Sequence, residues 1–188
     1  MAEIPDFITH YHLPDREPFL NLSDLDDDQL VDVLADLDSG AGTSRRFGPS
    51  YVALRRASEE LLRARFIRRG GRPERAVPHY FVLGESEWFE GLYDDPRQVR
   101  FPLDELPADQ ISFTIPDSLT AMGLLPDFGI HLEPRGHHGK VFLIRELGEV
   151  AAHHGLPSSA RPDDYTGHQF EDFEHYTEVQ VWTDRIRR

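Results

Sequence analysis

The sequence predicts an α+β fold, in which an N-terminal strand and two helices precede a mostly antiparallel, split or curved sheet. Three observations carry that expectation. Helical periodicity, with apolar residues at i, i+3, i+4 and i+7, is concentrated between residues 23 and 69. Short strand-like runs bounded by Gly and Pro dominate from residue 76 onward, interrupted by one late helix. The resulting order, β-α-α followed by strands, is that of an α+β protein and not of a doubly wound parallel sheet. With 188 residues, 39% of them hydrophobic, and neither an internal repeat nor a convincing linker, residues 1–188 read as a single domain with a substantial core.

DFITHYHL has strand character before Pro14. In SDLDDDQLVDVLADLDSG, Leu30, Val33, Leu34 and Leu37 share one helical face. Ser23 and Asp26 resemble a capping box, acidic residues crowd the first turn, and Gly40 closes the helix. The Gly/Ser-rich stretch SGAGTSRRFGP reads as a flexible connection. A second helix is expected from about Ser50 to Arg69, with Tyr51, Leu54, Leu61, Leu62 and Phe66 as its apolar stripe and GGRP as its stop. AVPHYFVLG is a strand halted by Gly84, and ESEWFEGLYDD a short helix or turn. VRFPLDEL and ISFTIPDS supply two further strands, and residues 122–139 read as irregular. KVFLI is a strand, and RELGEVAAHHGLP a short helix with Gly155 at its end. After a polar loop comes TEVQVW. Alternation there places Thr177, Val179 and Val181 on one face and Glu178, Gln180 and Trp182 on the other.

Charge narrows the function. The net charge is −14, yet residues 45–75 hold ten arginines against Glu59, Glu60 and Glu74. A strongly acidic surface repels nucleic acid at long range, so nucleic acid enters only as a substrate to be modified. The acidic face suits a basic protein partner, and the arginine segment a phosphate-bearing ligand. No apolar run approaches a membrane span and no signal peptide is evident. With zero cysteines, these features point to a cytoplasmic location.

Familiar catalytic motifs are missing. There is no GxSxG elbow to activate Ser118, and RRGGRPE has neither P-loop nor dinucleotide-fingerprint spacing. Among ten histidines, His10 and His12 share a strand face at a metal-ligand spacing, and His137-His138 and His153-His154 add pairs. No HExxH or Cys/His framework accompanies them, so no metal site is assigned.

Four segments in order are more informative: Thr9-His10 in the first strand, Val77-Pro78-His79-Tyr80-Phe81 with Ser86, Ser112-Phe113-Thr114, and Glu178-Val179-Gln180-Val181. With Arg55 or Arg56 on the intervening helix, this series resembles the ADP-ribosyltransferases, in particular the DarT type. The resemblance implies an ADP-ribosyltransferase-like fold and an enzyme that uses NAD as co-substrate to ADP-ribosylate an unknown acceptor. It implies Glu178 and Arg56 as catalytic residues. Thr9, His10, Arg55, Tyr80, Ser86 and Gln180 would hold NAD. Cleaving nicotinamide from NAD leaves positive charge on the ribose, which a carboxylate on a rigid strand stabilises. Two other classes stay open: a non-catalytic interaction protein with an acidic surface, and a metal-dependent hydrolase built on His10, His12 and a carboxylate.

Overall fold

The computed structural model describes residues 4–38, 51–124, 126, 133–157, 160–165 and 174–187. Its centre is one six-stranded sheet. The strands are β1 (Phe7–His12), β2 (His79–Leu83), β3 (Arg97–Pro102), β4 (Ile111–Thr114), β5 (Phe142–Leu143) and β6 (Glu178–Val181). Their spatial order is β3-β1-β2-β6-β4-β5, with every pairing antiparallel. Among the described residues five α-helices accompany them: α1 (Asp27–Asp38), α2 (Tyr51–Arg68), α3 (Glu87–Glu90), α4 (Ser118–Met122) and α5 (Leu147–His154). The α+β class and the antiparallel sheet agree with the sequence reading. Among the described residues the sheet is continuous and is not split.

Period-2 alternation decides what each face carries. Ile8, Phe81, Leu83, Ile111, Phe113, Val179 and Val181 are buried in the main core. Leu147 and Val150 of α5 pack into it, with Phe142 stacked on Phe113 at 5.2 Å between ring centroids. The opposite face of β6 meets α2 and α4. There Leu62, Phe66, Ala121, Met122 and Trp182 form a second cluster, and the Phe66 and Trp182 rings stack at 5.8 Å. Trp182 is fully buried, so the supposedly polar side of TEVQVW lies largely beneath helices.

Local chemistry moves several boundaries. The capping box before α1 is formed by Asp26 and Gln29, not by Ser23 and Asp26. Asp26 Oδ1 accepts from Gln29 N at 2.8 Å, and Gln29 Oε1 accepts from Asp26 N at 3.2 Å. Residues 22–24 instead form a 3₁₀ turn capped by Asn21. The expected closure of α1 at Gly40 and the flexible connection at 39–49 lie outside the described residues.

The buried face of α2 also differs from its apolar stripe. Val52, Ser58, Glu59, Leu62 and Phe66 are buried, whereas Leu61 is exposed. The helix presents charged groups to the polar residues of the sheet, a register that apolar periodicity does not detect. Gly71 then allows a close turn: a Cβ there would sit 2.4 Å from the Phe66 ring. Within the supposedly irregular stretch from Met122, the chain ends a short helix. Asp117 caps α4 by accepting from Thr120 N at 3.0 Å, and Gly123 terminates it at φ 76°.

Candidate active site

Register brings the polar residues into rows. Thr9 lies opposite Val82, Val82 opposite Glu178, and Glu178 opposite Thr114. The adjacent row pairs Tyr80 with Gln180 and Gln180 with Ser112. Directly paired residues point the same way, so Thr9, Tyr80, Glu178, Gln180, Ser112 and Thr114 share one face.

A hydrogen-bond chain fixes Gln180. Trp182 Nε1 donates to Ser112 Oγ at 2.9 Å, and Ser112 Oγ donates to Gln180 Oε1 at 2.7 Å. The amide nitrogen is thereby turned the other way, donating to Thr114 Oγ1 at 3.0 Å and to Glu178 Oε1 at 3.1 Å. Ser118 N, in the first turn of α4, donates to the same carboxylate oxygen at 3.1 Å. Oε2 of Glu178 has no hydrogen-bond partner among the described residues. Burial, reinforced by the nearby Asp117 carboxylate, raises the Glu178 pKa to about 7. The Gln180 and Ser118 bonds and the Arg55 charge oppose that rise without cancelling it.

Above Tyr80 sits a second polar group. The Arg55 guanidinium lies 4.4 Å from the centre of the Tyr80 ring. Its Nη1 donates to Tyr51 Oη and its Nη2 to Asn21 Oδ1, each at 3.1 Å, and its Nε is 3.2 Å from Glu59 Oε1. Tyr80 Oη donates to the same Glu59 oxygen at 3.0 Å. Burial and the two nearby glutamates hold the Tyr80 pKa well above its ordinary value despite Arg55, so the phenol stays protonated. Glu59 is 1% exposed, yet its Oε2 has no hydrogen-bond partner among the described residues. A buried carboxylate oxygen left this way costs free energy.

Of the residues singled out from sequence, Glu178, Gln180, Tyr80 and Arg55 are therefore brought together. Thr9 shares their face directly opposite Val82, fully buried, with its hydroxyl donating to Gly84 O at 2.6 Å. His10 is not brought to the site. It faces the main core, where Nδ1 bonds Tyr80 O at 2.9 Å and Nε2 accepts from Phe19 N at 3.1 Å. Burial lowers its pKa to about 4, which keeps the ring neutral.

Arg56 also points away, reaching Leu25 O at 3.5 Å and Asp27 at 3.8 Å on the surface, because adjacent helical positions diverge. Ser86 is buried as the cap of α3, its Oγ accepting from Phe89 N at 3.1 Å. Nothing gathers around the alternative hydrolase pair His10 and His12 among these bonds: His12 Nδ1 is spent on Leu13 O and Arg16 O, and both His10 nitrogens are spent on the backbone.

Sequence reasoning missed Asn21, Glu59 and Asp117. Glu59 sits at i+4 from Arg55, and that spacing was the available signal. Asp117 follows Pro116 and precedes a Ser-Leu-Thr run, a cap signature for a helix too short to announce itself by periodicity.

In comparisons with known proteins, no family model, curated protein or solved structure matches this chain.

Proposed function

We propose that this face is the catalytic site of an ADP-ribosyltransferase-like enzyme that uses NAD, with Glu178 as its key carboxylate. One observation carries the reading. The Thr9, Tyr80 and Glu178 segments, far apart in sequence, occupy the neighbouring strands β1, β2 and β6 and place these three side chains on one face. Arg55 supplies a fixed cation beside them. His10, Arg56 and Ser86 have no role in this version of the site.

The chemistry follows from the geometry. Gln180 and Ser118 N hold one oxygen of Glu178, leaving the other for substrate. A carboxyl whose pKa is near neutrality loses its proton when a cation arrives, and the nicotinamide ring of NAD is cationic. Breaking the bond between the ribose C1′ and the nicotinamide nitrogen sends the electron pair to the ring and leaves positive charge on the ribose. The Glu178 carboxylate stabilises that charge, and a fixed charge in a water-poor site is effective because it needs no reorganisation. An acceptor nucleophile then bonds to C1′, and its proton passes to Glu178 or to solvent. Arg55, with its nitrogens already on Tyr51, Asn21 and Glu59, supplies positive charge beside the pyrophosphate rather than a free bidentate fork.

The test is NAD titration and nicotinamide release by the wild type and by Glu178→Ala. The wild type is expected to bind NAD and release nicotinamide, with kcat/KM rising as pH passes through about 7. Glu178→Ala is expected to lose release by at least about 100-fold, as for removal of one electrostatic stabiliser. No NAD binding by the wild type, or equal turnover by both proteins, sinks the proposal.

A further inference from the structure

A second constellation uses none of these residues. His137 and His138, in the turn that precedes β5, converge on Glu174, four residues before the Glu178 that opens β6. One ligand atom from each of the three lies within 4.8 Å of the others. His137 Nε2 is 2.6 Å and His138 Nε2 3.2 Å from the same oxygen, Glu174 Oε1. The other carboxylate oxygen is held by Arg135. His154, at the end of α5, brings its ring within 5.1 Å of that of His137.

We propose that His137, His138 and Glu174 form a site for a divalent transition-metal ion of the zinc class. Two imidazoles and a carboxylate are the donor set such an ion prefers, and three protein ligands leave a fourth position for water. With metal–ligand bonds of about 2.0–2.2 Å, tetrahedral ligand atoms stand roughly 3.4 Å apart. The His138 contact is already close to that, the 2.6 Å contact has to open, and the two imidazole nitrogens, within 4.8 Å of each other, have to settle at the same spacing. The division of labour on Glu174 fits too. Oε1 faces both imidazoles, while the guanidinium on Oε2 orients the carboxylate from outside, as ligating carboxylates are commonly held.

Binding has one internal cost. His138 Nδ1 accepts from Arg135 N at 3.1 Å, so its Nε2 carries the proton in the metal-free state. His137 Nε2 donates to the same Glu174 carboxylate, so coordination moves a proton on both rings, and His138 alone also gives up the Arg135 bond, which makes His137 the stronger imidazole ligand. A bound ion would tie the turn before β5 to the segment that enters the Glu178 strand. Its readout is accordingly stability as well as binding.

The experiment titrates the metal-stripped full chain with Zn²⁺ by calorimetry and with Co²⁺ by visible absorption, alongside His137→Ala, His138→Ala, Glu174→Gln and the control His12→Ala. The expected result is one ion per chain, tetrahedral Co²⁺ bands, and a melting temperature raised by Zn²⁺. His137→Ala and Glu174→Gln should each weaken binding by at least 10-fold, while His12→Ala leaves it unchanged. His138 is partly exposed in a turn, so His138→Ala keeps the fold and still loses affinity. Absence of stoichiometric binding by the wild type overturns the proposal, as does equal affinity of His138→Ala and wild type. Because it reads metal alone, this result is independent of NAD turnover.

Discussion

Replacing Glu178 by Gln should stabilise the protein at alkaline pH while removing the group proposed to work there. Glu178 Oε1 accepts from Ser118 N and Gln180 Nε2, and a glutamine oxygen accepts both bonds equally well. What changes is charge. The folded-state pKa is raised from 4.5 to about 7, chiefly by burial and then by Asp117. Between those values the native state binds a proton that the unfolded state releases, so wild-type stability falls as pH rises from about 4.5 to about 7 and is level above that. The difference between 4.5 and about 7, at about 1.36 kcal/mol for each tenfold change in proton affinity, amounts to roughly 3 kcal/mol. The neutral amide avoids that cost. At pH 8 Glu178→Gln should therefore melt about 6–12 °C above the wild type, and the two should converge near pH 4.5. Thermal unfolding by circular dichroism across pH 4.5–8.5 measures both curves. A variant less stable than wild type at pH 8, or a difference that does not change with pH, would refute the reasoning.

Two further perturbations probe the helix that roofs the site. Leu62 is fully buried between α2 and the sheet, so Leu62→Ala should cost about 3 kcal/mol by lost transfer energy and cavity formation. A lower urea midpoint at unchanged slope is the expected signature, and a loss below about 1 kcal/mol would mean the helix is loosely packed. Arg55→Met leaves the buried Glu59 carboxylate without its cation and should cost about 3–5 kcal/mol. Arg55→Met combined with Glu59→Gln should recover at least half of that in the same denaturation assay; full additivity of the two changes would show that the pair is not coupled.

The α+β class was legible because alternation and helical periodicity are local. FITHYH, HYFVL and ISFT each carry their own pattern, and α5 carries its stop at Gly155. The site was only half legible. Glu178, Gln180, Tyr80 and Arg55 were visible as chemistry-bearing residues on regular elements. His10 looked equally good, yet it belongs to the other face, because adjacent strand residues must point in opposite directions. Arg56 failed for the analogous helical reason. Glu59 was invisible because a charged residue in a helix reads as solvent-facing until something polar is shown above it.

By itself, then, the sequence determined the element types, the two faces of TEVQVW and the absence of thiol chemistry, all of which follow from residue type and spacing along the chain. Only the tertiary structure decided that β6 pairs with β2 and β4, that α2 closes over its polar face, and that Glu178 is thereby held near a neutral pKa. Those outcomes depend on long-range pairing and burial. Neither is encoded in a window of a few residues, because the dielectric around a carboxyl is set by whatever packs against it from elsewhere in the chain.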